Sequence, residues 1–364
     1  MKKYNILGMM SGTSLDGLDI AHCELWQENG QWNYSIHQAT TIGYSEKLKE
    51  RLKNAIHLSE KEHEQLHLDY GKWLGEQAKD FISKHGLKID FIASHGHTSH
   101  HRPDEGITFQ LGEGQELANA SVQQVINNFR TLDVKLGGQG APLVPIGDEL
   151  LFGEYDFCLN LGGISNISFK KDEKRIAYDI GMANMPLNHI TQKIGLEYDE
   201  NGKLAASGKL IPSLLEALNT LDYYQLPYPK STGYEWFTEK VLPLIEHSDA
   251  SPEDLLHTLI VHNCEQISVE LKKNSANTDT TILVCGGGAF NDFFIQTLEE
   301  KLNGQCKVVV PNKKLINFKE ALVFCLMGVL KNEGEINVLK SVTGATQDSC
   351  SGEIFYTKVT DNEL

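Results

Sequence analysis

The stretch Gly8-Met9-Met10-Ser11-Gly12-Thr13-Ser14-Leu15-Asp16-Gly17-Leu18-Asp19 stands between two short runs that read as strands, Tyr4-Asn5-Ile6-Leu7 and Ile20-Ala21-His22-Cys23-Glu24-Leu25. Its outline returns later in the chain. Phe157-Cys158-Leu159-Asn160-Leu161 leads through a polar turn, Gly162-Gly163-Ile164-Ser165-Asn166, into Ile167-Ser168-Phe169. A third strand follows each pair, over Trp32–Ala39 in the first copy and over Arg175-Ile176-Ala177-Tyr178-Asp179-Ile180 in the second. Strand–turn–strand–strand occurring twice predicts a duplicated α/β fold with a ligand between the halves. A Rossmann or P-loop unit is excluded, because there a helix follows the first strand. The turn residues describe the ligand. Successive backbone amides in a tight turn bind anions, and the hydroxyls of Ser11, Thr13 and Ser14 add donors. Asp16 would repel a bare phosphate, so a cation between them is expected, and magnesium held through one or two carboxylates and waters fits. The same residues also suit an ordinary polar hairpin.

The 364 residues are long for one core and predict two domains. We place their bounds at 1–130 plus 340–364 for an N-terminal domain and 131–339 for a C-terminal one. No apolar run is long enough to span a membrane. Met1-Lys2-Lys3-Tyr4 enters a strand at once without the apolar region of a signal peptide. The seven cysteines are scattered and never spaced C-x-x-C, which points to reduced thiols and a cytoplasmic location. A formal charge of −16 argues against nucleic acid as a partner, and it leaves any anionic substrate to local amides, a few cations and a metal.

Between the two copies, residues 45–85 are helical by period, with Leu48, Leu52, Ile56, Leu66, Tyr70, Leu74 and Phe81 recurring every three or four positions. Asp90–Ala93 reads as a strand running into a loop, Ser94-His95-Gly96-His97-Thr98-Ser99-His100-His101. Its four histidines fit hydrogen bonding to a polar ligand better than a metal, because no acidic or Cys ligand adjoins them. Thr108–Gly112 and Val122–Ile126 read as strands. Arg130 is either a fork for an anion or sugar oxygens or a surface ion-pair partner. Lys135–Leu143 is a Gly-rich loop, a hinge or a pocket wall. Asp179, ending its strand before Gly181, is a candidate general base, although helix capping explains many such residues. Thr281–Cys285 is a buried strand followed by Gly286-Gly287-Gly288, where a flat ligand such as adenine could lie on bare backbone. Val308–Pro311 reads as a short strand and Glu320–Leu330 as an apolar helix.

Together these pieces resemble the two-domain fold of actin, Hsp70 and the sugar kinases. The resemblance is closest to the anhydro-N-acetylmuramic acid kinase family. It rests on Gly12–Gly17, Asn128-Phe129-Arg130, Gly137–Pro145, Asn160–Ile167, Ser231-Thr232-Gly233, Cys285–Asn291, Glu320-Ala321-Leu322 and Ser341–Ala345, all in one order over essentially the whole chain. It implies an actin-like ATPase fold with a nucleotide cleft between its domains. It also implies a phosphotransferase that uses ATP and magnesium on the small-molecule anhydrosugar 1,6-anhydro-N-acetylmuramic acid. Such an enzyme hydrolyses the 1,6-anhydro bond and phosphorylates O6, giving N-acetylmuramic acid 6-phosphate in peptidoglycan recycling. The resemblance makes Asp179 the catalytic base. It assigns Gly12, Thr13, Ser14, Leu15, Asp16, Gly17, Leu18 and Asp19 to phosphate and metal, with Gly162, Gly163 and Asn166 as their counterparts and Gly286, Gly287 and Gly288 at adenosine. It gives Asp16 and Asp179 to the metal, and Thr13, His95, Arg130, Asn184 and Glu320 to the sugar. A cytoplasmic homodimer is implied as well.

The chain departs from the family pattern at Ile180, Met182 and Ala183 after the catalytic Asp, at His97 and at Tyr234. These changes fall near the sugar, so a levoglucosan-type anhydrosugar kinase is the alternative substrate reading. An ATP-driven switch like actin is the alternative class.

Overall fold

The computed structural model describes residues 2–275 and 279–358. The chain forms two compact units, one of Met1–Leu151 with Phe318–Leu364 and the other of Phe152–Asn317. In the first, β1 (Lys3–Ser11), β2 (Leu18–Glu28) and β3 (Gln31–Ile42) form an antiparallel meander, β4 (Phe91–Arg102) lies parallel to β1, and β5 (Ile107–Leu111) folds back on β4. Parallel to β4 runs β6 (Val125–Asn127). In the second unit, β7 (Phe157–Leu161), β8 (Ile164–Lys171) and β9 (Lys174–Met182) repeat the meander, while β10 (Thr280–Cys285) and β11 (Cys306–Val309) continue it in parallel. Near the C-terminus, β12 (Glu353–Phe355) pairs antiparallel with β6. The order β3-β2-β1-β4-β6 in one sheet therefore matches β9-β8-β7-β10-β11 in the other. This is the duplicated α/β arrangement expected from the sequence.

The units divide at 151/152 and 317/318, where the sequence reading put 130/131 and 339/340. The helix Lys313–Glu333 explains the second shift. It is interrupted at Phe318, whose backbone leaves helical geometry, and beyond that point it packs on the first sheet. A Cβ on Gly8 of β1 would lie 2.2 Å from Ala321 O, and one on Gly328 would lie 2.8 Å from the Phe91 ring. Only bare backbone permits that approach.

Several elements differ from expectation. The histidine-rich segment is not a loop, because β4 continues through it and pairs with β5, with Gly96 (φ +75°) in a tight approach to Leu111 O. Val122 caps the helix Gly114–Ser121 in left-handed geometry, and its strand begins only at Val125. The second hairpin turn is just Gly162-Gly163; Asn166 sits within β8, opposite Asn160 and Asp179. Asp179 does not end β9, which runs on to Met182 because Gly181 still pairs with Ser165. The long helix Glu60–His85 starts at a capping box of Ser59 and Glu62 and stops at Gly86 (φ +60°). Each unit has its own apolar core: Leu7, Ile20, Leu74 and Ile92 belong to one, Leu159, Ile180, Leu259 and Val284 to the other. Among the described residues no helix is long and apolar enough to cross a membrane.

Candidate active site

In the first unit the candidate residues of the opening turn lie at the tip of the β1–β2 hairpin. Leu15 adopts a left-handed conformation (φ +59°) and buries its side chain in the core. A branched side chain rarely takes that geometry, and it costs about 1–2 kcal/mol. The pinned Leu15 leaves Thr13, Ser14 and Asp16 exposed. Gly17 is required by packing, since a Cβ there would lie 2.7 Å from Thr41 Cγ2, whereas Gly12 meets only Ser14 Oγ at 3.4 Å. Of the residues assigned to phosphate, Leu15 and Leu18 thus offer only backbone, because both side chains are buried. Asp19 accepts from Thr41 Oγ1. Burial, and secondarily Asp16, raise its carboxyl above the ordinary value against that hydrogen bond.

Arg130 is held from two sides. Its Nε donates to His95 Nε2 at 2.9 Å and its Nη1 to Gly140 O at 2.5 Å. His95 Nε2 is therefore the acceptor, and Nδ1–H donates to Gly96 O at 3.0 Å. Burial, then the Arg130 charge, hold this imidazole neutral. Gly140 N in turn donates to the buried Asp133 carboxylate at 2.7 Å, and Thr343 Oγ1 donates to the other oxygen at 2.7 Å. The Gly-rich loop is a wall braced on Asp133, with Arg130 fixed against it. The remaining N–H groups of Arg130 make no hydrogen bond among the described residues. Burial lowers the guanidinium pKa to about 10 while Glu320 and Asp133 oppose. Glu320 is open to solvent, yet crowded enough that desolvation raises its carboxyl; Arg130 opposes this and Asp19 adds to it.

A second buried chain of hydroxyls ends at His97. Tyr44 OH donates to Ser11 Oγ at 2.6 Å, Tyr70 OH lies 3.1 Å from Tyr44 OH, and Ser11 Oγ lies 3.0 Å from His97 Nδ1. With Tyr44 donating to Ser11, Tyr44 OH accepts from Tyr70 OH, and Ser11 Oγ is shared with His97 Nδ1. Burial holds the His97 imidazole down at about 4. Nothing in the spacing of these four residues signalled the network.

Among the described residues no group of three or more His, Cys, Asp or Glu side chains is arranged to hold a metal ion. Asp16 and Asp19, close enough for one to raise the other's pKa, are hard oxygen donors that fit magnesium, which keeps most of its waters and needs only one or two carboxylates. Asp179, the other residue assigned to the metal, belongs to the second unit.

In the second unit Asp179 is half-buried on β9. Its Oδ2 accepts from Ser231 Oγ at 2.9 Å and from Thr232 N at 3.1 Å. Its backbone is fixed as well: Asp179 N donates to Lys230 O at 3.2 Å and Tyr223 OH to Asp179 O at 2.8 Å. Oδ1 makes no hydrogen bond among the described residues. Burial raises the carboxyl pKa, and the Thr232 and Ser231 donors oppose it. Thr232 Oγ1 beside it is buried and has no hydrogen-bond partner among the described residues.

The triple glycine also has a packing role. A Cβ on Gly286 would lie 2.7 Å from Asn160 Oδ1, and one on Gly288 2.6 Å from Leu161 Cβ, so both glycines serve the packing of β7. Of the three, Gly287 alone is exposed, and a Cβ there would meet only Asn184 Nδ2 at an ordinary contact distance of 3.8 Å. Asn184 lies with this loop: its Nδ2 donates to Leu161 O at 2.9 Å, and its amide approaches the Gly287 and Gly288 positions. The turn glycines Gly162 and Gly163 accept from the backbone of Ala183, Asn184 and Met185, which ties the hairpin tip to the helix Asn184–Lys193.

A family model described as anhydro-N-acetylmuramic acid kinase matches residues 4–357. The anhydro-N-acetylmuramic acid kinase of Aliivibrio fischeri is 34% identical over 375 residues, covering 98% of this chain and 99% of its own. That of Haemophilus influenzae is 34% identical over 381 residues, covering 98% of each chain. That of Francisella tularensis subsp. novicida is 31% identical over 380 residues, covering 97% of this chain and 99% of its own. With this likeness spanning both units, the chain belongs to the anhydro-N-acetylmuramic acid kinase family.

Proposed function

We propose that the protein is an ATP- and magnesium-dependent kinase that opens the 1,6-anhydro ring of anhydro-N-acetylmuramic acid with water and phosphorylates O6. Family membership supports the reaction type and the sugar. The observation that carries the chemistry is the Asp179 carboxylate, with Oδ2 held by two donors and Oδ1 making no hydrogen bond among the described residues. In the reaction Oδ1 takes a proton from water, and the water oxygen bonds to C1 as the C1–O6 bond breaks. The departing O6 attacks the γ-phosphorus and ADP leaves. A carboxylate whose pKa is raised by burial is a stronger base than a solvated one. Magnesium, when bound, neutralises phosphate charge, and Asp16 and Asp19 would hold it through water. Thr13 and Ser14 would donate to phosphate oxygens, and Gly287 leaves room for the adenosine. Arg130 and Glu320 would contact the sugar, with His95 acting through Arg130.

The test is turnover in ¹⁸O-labelled water with anhydro-N-acetylmuramic acid and levoglucosan as parallel substrates. The expected product from the first sugar is a 6-phosphate with label at C1 and none in the phosphoryl group. Turnover of levoglucosan alone moves the substrate, and ATP binding without consumption of either sugar overturns the kinase reading.

A further inference from the structure

Behind Asp179 lies a buried ion pair that these steps do not use. Lys230 Nζ is 3.3 Å from Glu270 Oε1, with the two side chains only 3% and 6% exposed. Glu270 projects from the helix Pro252–Asn274, and its other oxygen accepts from Tyr178 OH at 2.7 Å. That hydroxyl accepts from Asn274 Nδ2 at 3.0 Å. The Lys230 ammonium also lies 5.0 Å from the Tyr223 ring centre and 5.9 Å from that of Tyr178, and Tyr228 stacks on Tyr178 at 5.3 Å. Desolvation offsets most of the attraction in such a pair, so net stability is a weak account of its presence. The backbone offers another. Lys230 O accepts from Asp179 N, and the next two residues, Ser231 and Thr232, are the donors to Asp179 Oδ2. Whatever fixes the Lys230 side chain fixes the start of the segment that holds the carboxylate.

We infer that the Lys230–Glu270 pair positions Asp179, anchoring residues 230–232 so that Ser231 and Thr232 hold Oδ2 and leave Oδ1 free for its proton. This rests on the base role proposed for Asp179. Lys230 and Glu270 are positioning residues and touch no reacting atom. Tyr223 faces both parts of the arrangement, its ring toward the Lys230 ammonium and its hydroxyl on Asp179 O.

The test is the pH profile of kcat, with KM for ATP and thermal stability, in four variants. Lys230→Met/Glu270→Gln removes both charges and leaves the local net charge unchanged, so a moved acid limb reports lost hydrogen bonds. The expected result is a folded protein with KM for ATP unchanged and kcat down about tenfold to a hundredfold. Its acid limb moves upward by about one pH unit, because a carboxylate that loses donors holds its proton longer. Glu270→Gln keeps the side-chain volume and serves if the double variant does not fold. Its expected shift is also upward, whereas loss of the negative charge by itself would move the limb downward. Ser231→Ala removes one donor directly and shifts the limb the same way. A folded pair variant whose profile overlays the parent's, while Ser231→Ala moves it, overturns the inference alone. Retained turnover in Asp179→Asn overturns the base role and the inference with it.

Discussion

Arg130 owes its orientation to His95 Nε2 and Gly140 O, two acceptors that use Nε and Nη1 and leave the rest of the fork without a hydrogen bond among the described residues. A lysine carries the charge but cannot reproduce this planar geometry. We expect Arg130→Lys to raise KM for the sugar about tenfold to a hundredfold, as for a lost charge-assisted hydrogen bond, with kcat less affected and ATP affinity unchanged. Unchanged sugar kinetics would remove Arg130 from the sugar site. The identity of Arg130 and Asp179 as candidates was legible from their place in motifs. Their partners were not. His95 lies 35 positions from Arg130, and Ser231 lies 52 from Asp179. Such pairings form only when strands and loops are brought together, and no local pattern encodes them. The glycine motif carries a packing requirement as well: Gly286 and Gly288 make room for β7.

At the scale of elements, Gly8 shows how a single missing Cβ decides which sheet a helix joins. Ala321 O and Cys325 Sγ would lie 2.2 and 2.6 Å from an added methyl. Gly8→Ala should therefore destabilise the protein by about 3 kcal/mol or more, read as a lowered urea midpoint; an unmoved midpoint would contradict the close packing of this helix on β1. The strands of both meanders were legible because alternation and apolar runs are strong signals. The β4 extension was not, because its residues are turn formers by composition and become strand only through pairing with β5. The short turn at Gly162-Gly163 was overestimated for the same reason: Ser165 and Asn166 are polar, yet they belong to β8 and pair with β7.

At the scale of the molecule, the duplication was legible from two similar turns, and the matching sheet orders carry it. Each unit also holds one imidazole at about 4, His97 in the first and His262 in the second, through burial. An unfolded imidazole titrates near 6.5, so between about 6.5 and 4 the unfolded chain binds more protons. The stability from these groups is complete above that window and is lost as pH falls through it, up to about 3 kcal/mol for each. His97→Gln and His262→Gln should each flatten the fall in urea-derived stability over this range, and slopes equal to the parent's would contradict the burial account. Both units together make a member of a kinase family, and we propose that it acts through Asp179. The most direct measurement is ATP-dependent phosphorylation of anhydro-N-acetylmuramic acid by the parent and by Asp179→Asn, with ATP affinity measured by calorimetry in both. The account predicts equal ATP affinity and a turnover lower by about 10²- to 10⁴-fold in the variant. Equal turnover in the two proteins would contradict it.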